Sequence, residues 1–348
     1  MKLRMVLLPI LLLAALVAFG CSGGEETKSA AKDEAKSAAK VEKPIIIKFS
    51  HVVAENTPKG QMANKFKELV DQRLGGKVVV EVYPNSQLFN DDKVLDAMLL
   101  GDVQLAAPAL SKFQKYTPVL QIFDLPFLFK DMGAVERFQK GPVGQKMLHS
   151  MEDKGFLGLA YLHNGLKQIS SHDPLRVPAD AVGKKFRIMT SDVLAAQYEA
   201  VGGIPLKKPF SEVFTLLQTN AIDGQENTWS NIYSKKFYEV QGYISEANIG
   251  LLDYLIVTSA SFWNGLPDDI RAQVKACLDE ATEYGNKISD DYALGDKKKI
   301  EESGRTTIIE LTDAERQQWV DAMKPVWEKF ADEVGRDNLD AAIASNTP

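Results

Sequence analysis

The chain contains 348 residues, 45% hydrophobic and 25% charged, which suits one large or two medium globular domains. Its formal net charge is −6, an acidic balance that argues against a nucleic-acid-binding protein. An acidic protein that binds an anion must concentrate positive charge in a small pocket. The two cysteines, Cys21 and Cys277, are too few and too far apart for a disulfide scaffold or a four-cysteine metal site.

Residues 1–20 predict a signal peptide, because a basic start precedes an apolar run that is too short for a comfortable membrane span. Cys21 follows directly, as in bacterial lipoproteins, so we expect lipidation at Cys21. Ordinary cleavage near Gly20 is the alternative, because the two residues before Gly20 depart from the usual lipoprotein pattern. Residues 21–43 are rich in Gly, Ser, Ala, Lys and Glu, which predicts a flexible linker. The protein is therefore expected to be exported, to the periplasm or the cell surface.

The first part of the folded chain alternates strand and helix patterns. We predict strands at 45–49, 78–82 and 104–107, a helix beginning at Thr57-Pro58 and ending at Gly75-Gly76, and a helix at 91–100. This β-α-β-α-β order is typical of a parallel sheet with helices on its faces. The apolar, proline-punctuated segment 119–129 is interpreted as a buried loop.

The stretch 183–233 contains a second strand-helix series. We predict strands at 185–189 and 204–206, a helix capped by Ser191 or Asp192, a helix at 211–218, and a polar turn at 223–227. Further strands are predicted at 242–250 and 252–259, a long helix at 267–302, and a last helix opened by a capping box at Thr312.

Several short motifs in this order resemble the DctP branch of the solute-binding proteins of TRAP (tripartite ATP-independent periplasmic) transporters. They are Lys48-Phe49-Ser50-His51-Val52-Val53, Tyr83-Pro84-Asn85-Ser86-Gln87-Leu88, Asn164-Gly165-Leu166-Lys167-Gln168, Gly183-Lys184-Lys185-Phe186-Arg187, Pro209-Phe210-Ser211-Glu212-Val213, Leu217-Gln218-Thr219-Asn220 and Asp223-Gly224-Gln225-Glu226-Asn227. The resemblance implies a two-lobed α/β fold, like that of periplasmic binding proteins, with strands and a long helix crossing between the lobes. Lobe 1 would comprise 44–165 plus 252–290, and lobe 2 would comprise 166–251 plus 291–348.

Arg187 is the first candidate for ligand binding. On composition alone, an arginine at a strand end more often forms a structural salt bridge. The resemblance implies instead that Arg187 clamps a carboxylate through two parallel hydrogen bonds. It also implies that Asn227 contacts the ligand and that Phe210 lines the site, although Asn227 could satisfy turn backbone and Phe210 could belong to the core.

Lys167 stands where much of the family has a second arginine. A dicarboxylate needs two cationic contacts, so Lys167 is a candidate for the second, with His51 as a further donor. Each has an alternative: Lys167 as a solvated strand-end lysine, and His51 as a satisfied structural histidine. Trp229 and Asn231 are second-tier candidates, because a tryptophan is more often a packing anchor.

The resemblance implies a receptor that takes up a C4-dicarboxylate such as succinate, fumarate or malate and delivers it to TRAP membrane permease subunits. Another organic anion, a sugar acid or an aromatic acid, is the alternative ligand. A secreted lyase or hydrolase acting on carboxylates is disfavoured, because the sequence contains no nucleophile-elbow, P-loop, dinucleotide-binding or zinc-protease motif. A third alternative is a purely structural lipoprotein, which would bind no ligand. We expect no enzymatic activity, cofactor or metal.

Overall fold

The computed structural model describes residues 43–347. The predicted signal peptide, Cys21 and all but the last residue of the predicted linker lie outside the described residues. Within them, no helix combines the length and the apolar character that crossing a membrane requires.

Five strands form the first sheet. They are β1 (Ile45–Ser50), β2 (Val78–Tyr83), β3 (Leu105–Ala106), β4 (Phe156–Leu162) and, later in the chain, β10 (Tyr254–Ser259). The spatial order is β2-β1-β3-β10-β4. Strand β1 pairs in parallel with β2 and β3, which confirms the parallel β-α-β-α-β prediction, while β10 runs antiparallel to β3 and β4.

Six strands form the second sheet. They are β5 (Gln168–Ser171), β6 (Lys185–Ile188), β7 (Ile204–Lys207), β8 (Gly224–Asn227), β9 (Tyr243–Glu246) and β11 (Thr307–Glu310). The spatial order is β11-β9-β5-β8-β6-β7. Strand β6 pairs in parallel with β7 and β8, and β5 runs antiparallel to β8 and β9. The mixed α/β architecture and the division of the strands into two sheets confirm the predicted fold class.

Twelve α-helices accompany the two sheets in the described residues. They are α1 (Pro58–Leu74), α2 (Val94–Leu99), α3 (Met132–Lys140), α4 (Pro142–Leu148), α5 (Asp192–Glu199), α6 (Val213–Gln218), α7 (Trp229–Ser234), α8 (Ala260–Gly265), α9 (Asp268–Ser303), α10 (Asp313–Met323), α11 (Pro325–Val334) and α12 (Arg336–Ala344). Thr57, Ser191 and Thr312 act as the predicted N-caps of α1, α5 and α10, each accepting a backbone N–H with its hydroxyl.

The long helix α9 packs against α1 beside the first sheet and against α7 beside the second sheet. Its approach to the first sheet is close, since a Cβ on Gly285 would lie 2.9 Å from Met62 Cβ and from Leu162 Cδ1. Further along, the Lys297 ammonium lies 5.7 Å from the Trp229 ring centroid. One helix therefore crosses from one sheet to the other.

The chain also crosses between the sheets in two adjacent segments, 163–167 and 247–253. They are joined by a bridge between Leu166 and Leu251 and by a hydrogen bond of 2.8 Å from Lys167 N to Gly250 O. The strands before and after these segments belong to different sheets. These crossings place the C-terminal ends of several strands around one shared space.

The polar turn predicted at 223–227 is wrong. Residues 224–227 form β8, a buried strand between β5 and β6. Polar residues are tolerated there because their side chains have partners: Gln225 Nε2 donates to Ser170 Oγ at 2.8 Å, and Glu226 accepts from Lys167 Nζ at 2.6 Å. The sequence signal of a turn is overridden by these tertiary contacts.

The predicted last helix is also only part of the C-terminal structure, because α11 and α12 follow α10. Helix α11 begins at Pro325 and ends before Gly335, a residue with a φ of 89° that favours glycine. Helix α11 packs against α5 and against the 3₁₀-helix Val119–Asp124, which opens the predicted buried loop. The chain end thus contacts elements of both predicted lobes, whose boundaries stay a prediction.

Candidate functional site

A cavity lies between the two sheets. Strand β10 of the first sheet contributes Tyr254, and strands β6 and β8 of the second contribute Arg187 and Asn227. The remaining lining residues are Val52, Val53, Asp91, Asp92, Ala109, Lys112, Met189, Phe210, Asn231 and Leu252. The lining combines an apolar body with a few converging polar groups, as small-molecule sites usually do.

Arg187 is held on β6 with only 2% of its surface exposed. Its Nε donates to the carbonyl oxygen of Lys208 at 2.9 Å, which fixes the side chain while its two terminal nitrogens form no hydrogen bond with the described residues. Burial lowers the pKa of Arg187 to about 10, and the nearby carboxylates of Glu226 and Asp92 partly offset that effect. The guanidinium is thus a charged group with an unused pair of donors facing a cavity.

Phe210 and two amides lie beside Arg187. The Phe210 ring centroid is 5.8 Å from the Arg187 guanidinium carbon. Asn227 ends β8, and its Oδ1 accepts from Asn231 Nδ2 at 2.8 Å, so that α7 and β8 are tied together at the cavity wall. Asn231 keeps a buried Oδ1 without a partner in the described part of the chain. The amides can therefore both donate and accept toward a ligand.

The segment after β1 contributes Val52 and Val53 to the cavity lining and leads into α1. Lys59, in the first turn of α1, is 1% exposed; its Nζ donates to the carbonyl oxygen of Ala107 at 2.8 Å and lies 3.4 Å from the Tyr254 ring centroid. The segment passes tightly over the helix, because a Cβ on Gly60 would lie 2.5 Å from the carbonyl oxygen of Ala54. This packing fixes Lys59 beside Tyr254.

His51 directly follows β1 and is also buried. Neither ring nitrogen has a hydrogen-bond partner among the described residues. Burial, aided by the charge of Lys59, lowers the pKa of His51 to about 3. The imidazole is therefore neutral at physiological pH, with one ring nitrogen that can donate and one that can accept.

Lys167 does not line the cavity. Its side chain is completely buried and forms an ion pair of 2.6 Å with Glu226, whose other oxygen accepts from Gln197 Nε2 at 2.9 Å. The solvated lysine considered from the sequence is wrong, since Lys167 is inaccessible to solvent. A direct contact between Lys167 and a ligand would require this ion pair to open.

The buried cations therefore divide into two kinds. Three lysine or arginine residues are buried in residues 43–347: Lys59, Lys167 and Arg187. Lys167 is paired with Glu226, whereas Lys59 and Arg187 form no ion pair with a carboxylate of the described chain. Buried charges are normally paired, because removing a charge from water is costly. Of the two unpaired cations, Arg187 lines the cavity, and Lys59 lies behind the lining residue Tyr254.

Two acidic residues lie at the cavity rim. Asp92 pairs with Lys112 at 2.7 Å and accepts from Thr190 Oγ1 at 2.9 Å, which joins the segment before α2 to the segment after β6. Burial raises the pKa of Asp91, and the positive charges of Lys59 and Lys112 partly offset that effect. The charge of Asp91 acts on Lys59, and the charges of Asp92 and Asp91 act on Arg187, but neither carboxylate forms an ion pair with these two cations.

Of the residues predicted from the sequence, Arg187, Asn227, Phe210 and Asn231 line the same cavity. His51 is buried next to the lining residues Val52 and Val53, Lys167 lies behind the wall, and Trp229 belongs to an apolar cluster beside α9. The sequence analysis missed Tyr254, Asp91, Lys112 and above all Lys59. A lysine in the first turn of a helix with no acidic residue there is an unfavourable placement that could have drawn attention.

A more open groove lies between α10, α11 and α12. Its cations, Lys324 and Arg336, are exposed, and Arg336 pairs with Glu328 and Asp332. It offers no buried unpaired charge. In the described residues, no group of three or more His, Cys, Asp or Glu side chains is placed to hold a metal ion.

Comparisons with known proteins agree with an anion-binding cavity. Residues 49–333 match the family model DctP, described as bacterial extracellular solute-binding protein, family 7. The C4-dicarboxylate-binding periplasmic protein DctP of Shewanella loihica is 64% identical over 303 residues, covering 87% of this chain and 90% of that protein.

Two solved structures are similar over the same region. A TRAP periplasmic solute binding protein from Shewanella oneidensis with bound succinate superposes with a TM-score of 0.87 at 63% identity, covering 87% of this chain and all of the other. One from Pseudomonas aeruginosa with bound L-malate gives 0.81 at 43% identity, covering 82% and all of the respective chains.

Proposed function

The chain belongs to the DctP family of bacterial extracellular solute-binding proteins, family 7, and from this premise we propose that it is the solute receptor of a TRAP transporter for C4-dicarboxylates. Succinate, fumarate and malate are the ligands that the relatives favour, since similar proteins hold succinate and L-malate. The protein acts as a receptor rather than an enzyme.

The observation that carries the proposal is the state of Arg187. Its guanidinium is buried at the cavity, is anchored through Nε alone and has no carboxylate partner in the described chain. A planar fork of this kind binds a carboxylate through two parallel, charge-assisted hydrogen bonds. The ligand carboxylate would supply the missing counter-charge, and its binding would offset the burial that lowers the pKa of Arg187.

The other residues at and behind the cavity wall would contact the ligand or support the wall. Asn227 and Asn231 would direct their amides at the carboxylate or at a ligand hydroxyl, while Phe210 and Met189 would contact the methylene carbons. His51 would donate one hydrogen bond from its neutral ring. We assign Lys167 and Trp229 to the supporting wall, because Lys167 is paired with Glu226 and Trp229 packs beside α9.

Binding of the ligand between the two sheets also provides a physical basis for its delivery to the permease subunits. A ligand that touches both sheets would favour a closed arrangement, and hinge-bending of this kind occurs in periplasmic binding proteins. The closed form would present a distinct surface to the TRAP permease subunits. Residues 1–20 would direct export and Cys21 would hold the protein at the membrane; these two assignments rest on the sequence alone.

The direct test is isothermal titration calorimetry of the purified residues 43–348 with succinate, fumarate and L-malate, beside galactonate, glucuronate and benzoate. We expect binding to at least one C4-dicarboxylate, tighter than to any of the monocarboxylates. Arg187→Ala should weaken that binding about ten- to a hundred-fold, since a hydrogen bond to a charged group contributes about 1.5–3 kcal/mol.

Mass spectrometry of the ligand carried through purification gives an independent answer. A folded protein that binds none of the C4-dicarboxylates would reject the proposal. Preferred binding of a sugar acid or an aromatic acid would move the ligand assignment to the alternative anion class, and turnover of a bound acid would revive the enzyme hypothesis.

A further inference from the structure

We propose that Lys59 binds the second carboxylate of the ligand, so that the two ends of a dicarboxylate are held by Arg187 on β6 of the second sheet and by Lys59 on helix α1 beside the first sheet. This inference rests on the proposed function and assigns the residue that contacts the carboxylate not bound by Arg187. It replaces Lys167, which the ion pair with Glu226 occupies, as the second cationic contact.

The first support is the lack of an ion-pair partner. The Lys59 ammonium is buried, makes one hydrogen bond to the carbonyl oxygen of Ala107 and forms no ion pair with a carboxylate of residues 43–347. The charge of Asp91 acts on it from beyond ion-pair distance and offsets its burial only in part. An ammonium group has three N–H donors, so two remain for another acceptor. Burial lowers the pKa of Lys59 to about 8, because the surroundings of the ammonium disfavour its charge.

The second support is the position of Lys59 on its helix. It occupies the first turn of α1, a 17-residue helix with no acidic residue in that turn. The N-terminus of a helix carries partial positive charge and unpaired N–H groups, so a buried lysine there is unfavourable by itself. An anion placed beside it would be stabilised by the ammonium and by the helix terminus together.

The third support comes from the neighbouring buried groups, which also lack partners. Both ring nitrogens of His51 and the Ser50 hydroxyl are buried without a hydrogen bond among the described residues. His51 lies close enough to Lys59 for its pKa to be lowered by the lysine charge. Buried polar groups in folded proteins are usually hydrogen-bonded to protein, water or ligand atoms. A carboxylate between Lys59 and His51 would satisfy several of them at once.

The two cations lie on different halves of the fold. Arg187 belongs to β6 of the second sheet, whereas Lys59 lies on α1 and contacts Tyr254 of the first sheet. Tyr254 and Arg187 line the same cavity, and Asn231 bonds to both Asn227 and the Tyr254 hydroxyl, at 2.8 and 3.4 Å. A dicarboxylate would therefore bridge the sheets with one charged end on each, whereas a monocarboxylate would engage one half only.

Lys112 and Lys235 are the rival cations, and both are already engaged near the rim. Lys112 pairs with Asp92. Lys235 is half-buried, donates to Asn85 Oδ1 at 2.9 Å and lies 5.5 Å from the Phe210 ring centroid, and burial lowers its pKa. Lys112 is paired and Lys235 is only half-buried, whereas Lys59 is both unpaired and 1% exposed.

The test compares succinate with succinamate, in which one carboxylate becomes a neutral amide, by calorimetry on residues 43–348. The wild-type protein should bind succinate about ten- to a hundred-fold more tightly than succinamate. Lys59→Met should weaken succinate by that factor and remove most of the preference, with little change for succinamate. Lys67→Met, an exposed lysine on the same helix, serves as the matched control and should behave as wild type.

Three results would overturn the inference without touching the proposed function: unchanged succinate affinity in Lys59→Met, equal losses for both ligands, or loss of the preference in Lys235→Met instead. If Lys59→Met does not fold, the wild-type preference decides, because equal affinities for succinate and succinamate would exclude a second cationic contact. Failure of the wild-type protein to bind any C4-dicarboxylate would instead reject the proposed function itself.

Discussion

Replacing Lys167 by methionine is expected to destabilise the fold rather than to remove a ligand contact. The ammonium and the Glu226 carboxylate lie 2.6 Å apart, with side-chain exposures of 0% and 1%. Removing one partner of a buried ion pair leaves an uncompensated charge, which typically costs about 3–5 kcal/mol of unfolding free energy. Glu226 would keep only the hydrogen bond from Gln197 Nε2, at 2.9 Å.

The double variant Lys167→Met/Glu226→Gln separates the lost pair from the lost packing. The glutamine can still accept from Gln197 and carries no charge, so neutral hydrogen bonding replaces the buried carboxylate. We expect the double variant to recover more than half of the stability lost in Lys167→Met. Urea unfolding followed by circular dichroism measures both changes, provided that the slope with denaturant is unchanged.

Succinate calorimetry under conditions where Lys167→Met is folded completes the test. If Lys167 only supports the cavity wall, Lys167→Met should lose much less succinate affinity than Arg187→Ala. The reasoning is refuted if Lys167→Met unfolds at the wild-type urea concentration while succinate binding falls ten-fold or more. That outcome would return Lys167 to the role of direct ligand contact.

Four further predictions concern Arg187, Lys59 and Cys21. Arg187→Lys should lose at least ten-fold in succinate affinity despite keeping the charge, because an ammonium cannot form the paired hydrogen bonds; near-wild-type calorimetry would contradict the clamp. Because the pKa of Lys59 is lowered from 10.5 to about 8, against the attraction of Asp91, succinate affinity should fall as the pH rises above about 8, and Lys59→Met should not show this change. The unliganded protein should become more stable over the pH range from about 8 to 10.5, since only the unfolded chain binds the proton there; a flat urea midpoint across that range would argue against the shift. Wild-type protein expressed with residues 1–348 should partition into a detergent phase and Cys21→Ala should not, whereas a wholly aqueous wild type would reject lipidation.

Periodicity and turn residues were enough to predict most of the fold. The caps at Thr57, Ser191 and Thr312 are local signals, because each side-chain oxygen meets a backbone N–H only three residues on. Strand β8 could not be predicted in this way. Its polar residues are typical of a turn. They lie in a buried strand because Ser170 and Lys167, which are distant in sequence, provide hydrogen-bond partners for Gln225 and Glu226.

The residues of the site also divide into those that the sequence predicts and those that only tertiary contacts reveal. Arg187, Asn227 and Phe210 were predicted from motifs that carry a family resemblance, and the structure places all three on one cavity. Lys167 and Lys59 could not be told apart from sequence, since both are lysines near strand or helix ends. Only tertiary contacts reveal that one is paired with Glu226 and the other is unpaired beside Tyr254.

A crystal structure of residues 43–348 with succinate tests directly whether the Arg187 guanidinium faces the cavity and binds an organic acid. We predict one succinate carboxylate with its two oxygens about 2.7–2.9 Å from the terminal nitrogens of Arg187, in the cavity lined by Phe210 and Asn227. Succinate bound elsewhere, or an Arg187 guanidinium taken up by a protein carboxylate such as Asp92, would contradict it.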